Sequence, residues 1–532
     1  MYPIRPVAKR YAWGSFDRLQ TMFSSRLPEP CSGPLAEMWF SGHPQWPSLL
    51  DIPGQGLVSV PDAIRSDPTA MVGERNSDRF GPVLPYLLKM ISARIPLSLQ
   101  VHPVGFEARA GYNAQNAAAV PFDSPERSFK DPVAKSEMVV AVEPFSASVG
   151  FASIPFMLRN LKLVDHPIAA RMVQALQPHF PLLGRGSDDF AAADAMMPIA
   201  AKVWPESRRQ VFRAFYTAIT ADSVGDAGRD VDVATAGSND VAHGTGGLLE
   251  ALHAGAAKAT TARSRLAFDY ALIAARAFAG DASVLSLLMM NPVALDEGES
   301  VFIPAGTPHA YLHGTAAEIM TNSDNVLRAG MTVKHKDIPN LLHTLDCHSA
   351  APIDPAATNL VTLMMRDVVV YKPELEEFML SYGHVDASHQ QWPMADRLVR
   401  RYSRLAEQIG SGPLIPGDHG PRVLLCTQGA IHCISAEDEC VLTCGQSVFI
   451  PAREGRLTVD AAADARIAEY ADNGTMGTAG AGAVTDAYMD VDADRRAADM
   501  DAWMAAGMTG MRNARGRRPV ASGSFIMAST QL

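Results

Sequence analysis

Polar and apolar residues alternate along Pro96-Leu-Ser-Leu-Gln-Val-His-Pro103, and this period of two predicts a strand. Leu97, Leu99 and Val101 face a core. Ser98, Gln100 and His102 line the opposite face with a hydroxyl, an amide oxygen and an imidazole. Gln100 and His102 are two residues apart, so both reach one metal ion. A second alternation runs through Ala36-Glu-Met-Trp-Phe-Ser-Gly-His-Pro44 and puts Glu37, Trp39, Ser41 and His43 on one face. There Glu37 and His43 read as a buried, mutually satisfied pair. Residues 1–150 read as mostly strand, with a turn at Trp13-Gly-Ser15, an apolar run over 84–90, and a strand over 138–142 with Glu137 at its mouth. The stretch after Pro103, rich in Ala and Asn, reads as a loop.

From 155 to 290 the period lengthens. Val211, Phe215 and Ile219 fall at helical spacing after Pro205, and Leu266, Tyr270, Ile273 and Ala277 do so before Gly280. Between them, 222–247 reads as a Gly/Asp/Ala/Ser-rich loop. Strands return at 291. Gly298-Glu-Ser-Val-Phe-Ile-Pro-Ala305 recurs as Gly445-Gln-Ser-Val-Phe-Ile-Pro-Ala452, which indicates two copies of one β-unit. The Gly-x-x-x-x-x-Pro phrase is that of a jelly-roll, or cupin, barrel. His309 of the first copy falls in register with Arg456 of the second, so only the first can bind metal there. The fold expected is mainly β with a helical insert: two cupin barrels plus an α-helical domain. The boundaries are 1–154 with 291–345 for the catalytic barrel, 155–290 for the insert, 346–470 for a degenerate second barrel, and 471–532 for a low-complexity, mostly disordered tail. One amphipathic helix is expected around 492–507, followed by a basic stretch over 512–518.

Composition narrows the function. The chain has 532 residues, is 47% hydrophobic and carries a net charge of −11, which argues against nucleic acid as a partner. No apolar run reaches membrane-spanning length, and Met1-Tyr-Pro-Ile-Arg-Pro lacks the apolar core of a signal peptide. Six scattered cysteines suit a reducing cytoplasm. Cys440 and Cys444 read as small buried thiols.

Gln100, His102, Glu137 and His309 together offer two imidazoles, a carboxylate and an amide oxygen, a donor set that zinc accepts. At this point a resemblance is specific. Pro96–Pro103, Lys130-Asp-Pro132 with Lys135-Ser-Glu137, Pro304-Ala-Gly-Thr-Pro-His-Ala-Tyr311 and Asn322-Ser-Asp-Asn-Val-Leu-Arg-Ala-Gly330 resemble, in order, the motifs of type I mannose-6-phosphate isomerases. The resemblance runs from about residue 2 to 470. It implies one zinc held by Gln100, His102, Glu137 and His309. It further implies Arg328 as the active-site arginine, Glu318 as a site glutamate, and Lys89, Ser98 and Lys334 on the phosphate side. Tyr311 alternates with His309 and lines the same cavity or packs beside it. The chain departs from the family at Ala134, where a histidine is common, and at Val333, where a proline is.

The implied reaction interconverts mannose 6-phosphate and fructose 6-phosphate through an enediol. Glu318, Asp324, Lys135 and a zinc-bound water remain open as the base. From the residues alone, Lys89 equally caps a surface, and Asp324 equally serves a turn. Two rivals stand beside this reading. One is another metal cupin such as an iron-dependent dioxygenase, and the other a non-catalytic sugar-phosphate-binding cupin. Monomer is a plausible state.

Overall fold

The computed structural model describes residues 1–24, 27, 33–177, 190–221, 246–350, 360–364, 368–388, 392–401, 419–462 and 521–531. Its frame is two mostly antiparallel sheets with helices packed against the first. The first sheet, of ten strands, runs Met290–Leu295, Phe145–Phe151, His309–Thr321, Tyr86–Ala93, Glu37–Ser41 and Val7–Lys9, with Leu99–Val101, Glu137–Ala141, Ser300–Ile303 and Leu327–Gly330 pairing off this path. The 13-residue strand His309–Thr321 is its spine. It pairs with four other strands and brings together segments more than 200 residues apart in sequence.

The organising strand forms as expected, although it is short, Leu99–Val101. Leu99 and Val101 are fully buried against the helices, while Leu97 packs into a separate cluster with Ile91, Val139 and Tyr311. Glu206–Ile219 and Ala262–Ala277 are helices, the first starting just after Pro205. Helices over Ile154–Leu161, Pro167–Leu176 and Gly246–Lys258 add to this layer. The stretch read as an Ala/Asn loop is a helix, Gly105–Ala117. Alanine's high helix propensity prevails over asparagine's turn preference there. Its Gly111 admits the Phe129 ring so closely that a Cβ would lie 2.3 Å from it.

The second sheet, of eleven strands, runs Leu360–Met364, Val368–Pro373, Met379–Asp386, Ser522–Ser529, Arg422–Ile434, Ser447–Ile450, Tyr2–Arg5, Leu49–Ile52 and Gly56–Ser59, with Glu439–Thr443 and Thr458–Ala461 pairing Arg422–Ile434. The repeat is visible in the backbone. Ser300–Ile303 and Ser447–Ile450 are both strands, and Gly298 and Gly445, which open the two phrases, have φ of 80° and 82°. Two placements depart from the sequence reading. Tyr2–Arg5, Leu49–Ile52 and Gly56–Ser59 belong to the second sheet, so the N-terminal 154 residues serve both sheets. Ser522–Ser529, inside the stretch read as tail, is a strand between Met379–Asp386 and Arg422–Ile434. Phe525, Ile526, Met527 and Ala528 are buried, and that apolar run supplies the driving force. The expected helix at 492–507, the basic stretch at 512–518 and most of the loop at 222–247 lie outside the described residues.

Candidate metal centre

Sheet register builds the site. His309 lies opposite Gln100 across one strand pair, and Arg328 opposite Gln100 across the other, so Gln100 sits between them. Glu137 opens the strand Glu137–Ala141, paired with Met320 on the spine strand. His102, Glu137 and His309 offer ligand atoms that all lie within 4.8 Å of one another, and all three side chains are buried. Among the described residues no other group of three His, Cys, Asp or Glu does so.

The hydrogen bonds fix what each ring presents. His102 Nδ1 is 2.7 Å from the Asn325 carbonyl oxygen, and His309 Nδ1 is 2.9 Å from that of Thr307. A carbonyl only accepts, so both Nδ1 atoms carry the proton and both Nε2 atoms present a lone pair. Burial, opposed by Glu137, pushes the His102 pKa down to about 3, which keeps the ring neutral. Its Nε2 lies 2.9 Å from Glu137 Oε1, yet a lone pair facing a carboxylate oxygen makes no hydrogen bond, and this nitrogen is buried without one. His309 Nε2 stands 3.3 Å from Glu137 Oε2 and 3.3 Å from the Gln100 amide nitrogen. A half-turn of that amide would present its oxygen instead. Acceptors converging on one point are what a divalent cation satisfies. Two neutral imidazoles, one carboxylate and one amide oxygen fit zinc.

Around these ligands the charges are arranged in pairs. Burial acts against ionisation of Glu137, but the Lys135 ammonium, 3.1 Å from Oε1, holds its carboxyl below the usual range. Burial raises the Tyr311 pKa, so its hydroxyl stays protonated and donates to Glu137 Oε2 at 3.0 Å. Lys89 occupies the register position between Trp39 and Glu318. Its ammonium is 3.0 Å from Glu318 and 3.9 Å from Glu37, and 4.8 Å from the centre of the Trp39 ring. Burial opposes its charge, but Glu318, Glu37 and Glu137 outweigh it and raise its pKa. Glu318 is shifted upward by burial, with Glu137 and Glu37 adding to the effect against Lys89.

Ser98, Asp324, Arg328 and Lys334 are less buried than the three clustered side chains. Ser98 is half-buried just before the Leu99–Val101 strand. Arg328 is half-buried and feels Asp324 and Tyr11. Lys334 is exposed, its ammonium 5.3 Å above the Tyr11 ring. Asp324 is half-buried on a loop, its backbone N–H donating to Asp131. Glu37 and His43 do not form the pair expected from the sequence. Glu37 accepts from Trp39 Nε1 at 2.6 Å, and His43 Nδ1 instead accepts from the Gln45 N–H. Burial lowers the His43 pKa, while Asp324 and Asp131 raise it. Arg456, the counterpart of His309 in the repeat, is exposed.

Comparison with known proteins agrees with this geometry. The family model for the phosphomannose isomerase type I catalytic domain matches residues 1–154. Mannose-6-phosphate isomerase from Shigella flexneri is 33% identical over 453 residues, covering 85% of this chain and 95% of the relative. The chain belongs to the mannose-6-phosphate isomerase family. The Escherichia coli K12 member is 32% identical over the same share of each chain. Among solved structures, mannose 6-phosphate isomerase from Salmonella typhimurium bound to fructose 6-phosphate and zinc matches with a TM-score of 0.63, 26% identity, and coverage of 86% and 96%. The Ala134 carbonyl accepts from the Thr321 hydroxyl at 2.7 Å, which ties this loop to the end of the spine strand.

The sequence reading named Gln100, His102, Glu137 and His309 as candidate ligands and Lys135 and Tyr311, which contact Glu137, as site residues, but it did not name Asp131 or Asn325 as supports. Asp131 and Asn325 were legible only as parts of the Lys-Asp-Pro and Asn-Ser-Asp-Asn phrases. Their contact spans 194 residues, and no local pattern reports it.

Proposed function

We propose that this protein is a zinc-dependent aldose-ketose isomerase that interconverts D-mannose 6-phosphate and D-fructose 6-phosphate. The observation that carries this is the convergence of the His102 and His309 lone pairs on Glu137, beside Gln100, in a chain of this family. Gln100, His102, Glu137 and His309 would hold the ion. When bound, zinc supplies Lewis acidity toward the substrate's carbonyl and hydroxyl oxygens.

The reaction needs no outside oxidant. In the open-chain sugar a proton leaves C2 and one is added at C1. The O2 hydroxyl becomes a carbonyl while the O1 carbonyl becomes a hydroxyl. Asp324 is our candidate for the base. Glu318 and Lys135 are 3% exposed, each in an ion pair, whereas the Asp324 carboxylate is half-buried and accepts no hydrogen bond from a described residue. Arg328 stabilises charge developing on O1 or O2. Glu318 holds Lys89 protonated beneath the site, and Lys135 balances Glu137. Tyr311 fixes Glu137 through its hydroxyl. Lys334 and Ser98 meet the phosphate at the mouth. Lys89, also a phosphate-side candidate, is committed to two carboxylates.

We read the two sheets as two cupin-type units, the second of them without a metal, and the helices over 155–290 as an insert. The described cysteines are free thiols, in keeping with a reducing cytoplasm. The partner is a small phosphorylated sugar. Asp324→Asn and Glu318→Gln, each assayed for fructose 6-phosphate formation at saturating zinc, separate the carboxylates. A general base contributes about 10²–10⁴-fold, so D324N is expected to lose that much kcat and E318Q less. A D324N enzyme within about tenfold of the parent would remove Asp324 from the role.

A further inference from the structure

Asp131 is a half-buried carboxylate that touches no reacting group, yet every described hydrogen bond to its side chain comes from the two loops that build the site. Its Oδ1 accepts from the Val133 N–H at 2.9 Å, Ser323 Oγ at 2.9 Å and Asn325 Nδ2 at 3.1 Å. Its Oδ2 accepts from the Asp324 N–H at 3.0 Å, and Ser323 Oγ also lies 3.0 Å from it. Asn325 completes the lock from the other side. Its Oδ1 accepts from the backbone of Lys130 at 2.7 Å and Asp131 at 3.2 Å, and its Nδ2 donates to the carbonyls of Asp131 at 2.8 Å and Val133 at 3.0 Å. Asn325 is fully buried, and its own carbonyl is the one that holds His102 Nδ1.

We propose that Asp131 is a positioning residue that, through Asn325, sets the His102 tautomer for metal binding and, through the Asp324 N–H, places the Asp324 carboxylate. Donors and acceptors decide the case. An aspartate supplies only acceptors, and its two oxygens face only donors here. An amide in its place turns one acceptor into N–H groups that point at other donors. The 323–325 loop then loses its anchor, and the Asn325 carbonyl drifts from His102. A ring free to take either tautomer offers its Nε2 lone pair only part of the time. Partners of this kind are worth about 10–100-fold in metal affinity. Stability is a lesser motive for the carboxylate, since burial raises the Asp131 pKa and so costs the charged form.

The Asp324 half of the proposal rests on the base assignment above; the His102 half does not, so zinc affinity and turnover are measured separately. The test is Asp131→Asn in the full-length protein, with zinc affinity read by chelator competition and kcat and KM read at saturating zinc. The expected result is zinc affinity about 10–100-fold weaker, kcat at least about tenfold lower, KM within about threefold, and a metal-free melting temperature close to that of the parent. Zinc affinity and kcat both within about threefold of the parent would overturn the proposal. Weakened zinc affinity in a protein that turns over no mannose 6-phosphate would sustain the His102 half while the isomerase reading fails. Should D131N not fold, Ser323→Ala removes one donor from the same carboxylate; unchanged zinc affinity in that variant would also overturn it.

Discussion

Replacing Lys89 by methionine tests the charge arrangement beneath the metal centre. Lys89 is 6% exposed and stands 3.0 Å from Glu318 and 3.9 Å from Glu37. With an effective dielectric of about 20, Coulomb attraction is about 5.5 kcal/mol at the Glu318 distance and about 4 kcal/mol at the Glu37 distance. Desolvation of the ammonium cancels much of this. Removing one partner, however, leaves the carboxylates buried without their cation, which costs about 3–5 kcal/mol. The pH dependence follows from the shifts. The Lys89 pKa is raised, so its contribution is fully present below its unfolded value and is lost only as pH rises through the folded one. The parent therefore keeps it across roughly pH 6–9. In K89M, Glu318 loses its counter-ion and its already raised pKa climbs further. A raised carboxyl pKa favours the folded state in acid, so the deficit of K89M shrinks as pH falls. Urea unfolding of the metal-free protein, followed by tryptophan fluorescence, is expected to show K89M less stable by about 3–5 kcal/mol at about pH 8 and by less at about pH 5.5. K89M/E318Q is expected to recover part of that loss. A deficit below about 1 kcal/mol at the higher pH, or one independent of pH, would refute the reasoning.

Gly445 has a φ of +82°, and a Cβ there would lie 2.2 Å from the Met22 carbonyl oxygen. Gly445→Ala is therefore expected to cost about 1–3 kcal/mol or more, seen as a lower melting temperature, with zinc affinity unchanged because the site lies in the other sheet. His43 has a lowered pKa, so the unfolded chain binds its proton first and stability is lost as pH falls below about 6.5. Relative to His43→Gln, the parent should lose up to about 1.4 kcal/mol per pH unit between about pH 6.5 and 5; parallel stability curves for the two proteins would contradict this. His309→Arg installs the residue found at the matching position of the second copy. It is expected to abolish zinc binding, measured by metal content after dialysis, and retained stoichiometric zinc would count against His309 as a ligand.

What could be read from the sequence follows the range of each signal. The Gln100/His102 alternation is local, and the structure keeps both side chains on the site. His309 was singled out by an internal repeat, and its contrast with Arg456 survives as a buried residue against an exposed one. Long-range pairing was invisible. Nothing in the chain near Lys89 announces Glu318, which reaches it only because two strands share a register. The same holds for Asp131 and Asn325. The helix Gly105–Ala117 was missed because asparagine suggested a turn in a segment whose alanines favour helix. The last strand was missed because its apolar core, Phe525 to Ala528, is four residues long and follows a low-complexity stretch. Period alone cannot assign so short a run.

The most direct measurement of the central claim is coupled turnover of mannose 6-phosphate to fructose 6-phosphate on the same sample as purified, after chelation, and after zinc is restored. Turnover is expected to disappear with the metal and to return with one zinc per chain. A protein that binds stoichiometric zinc and still produces no fructose 6-phosphate would contradict the isomerase assignment.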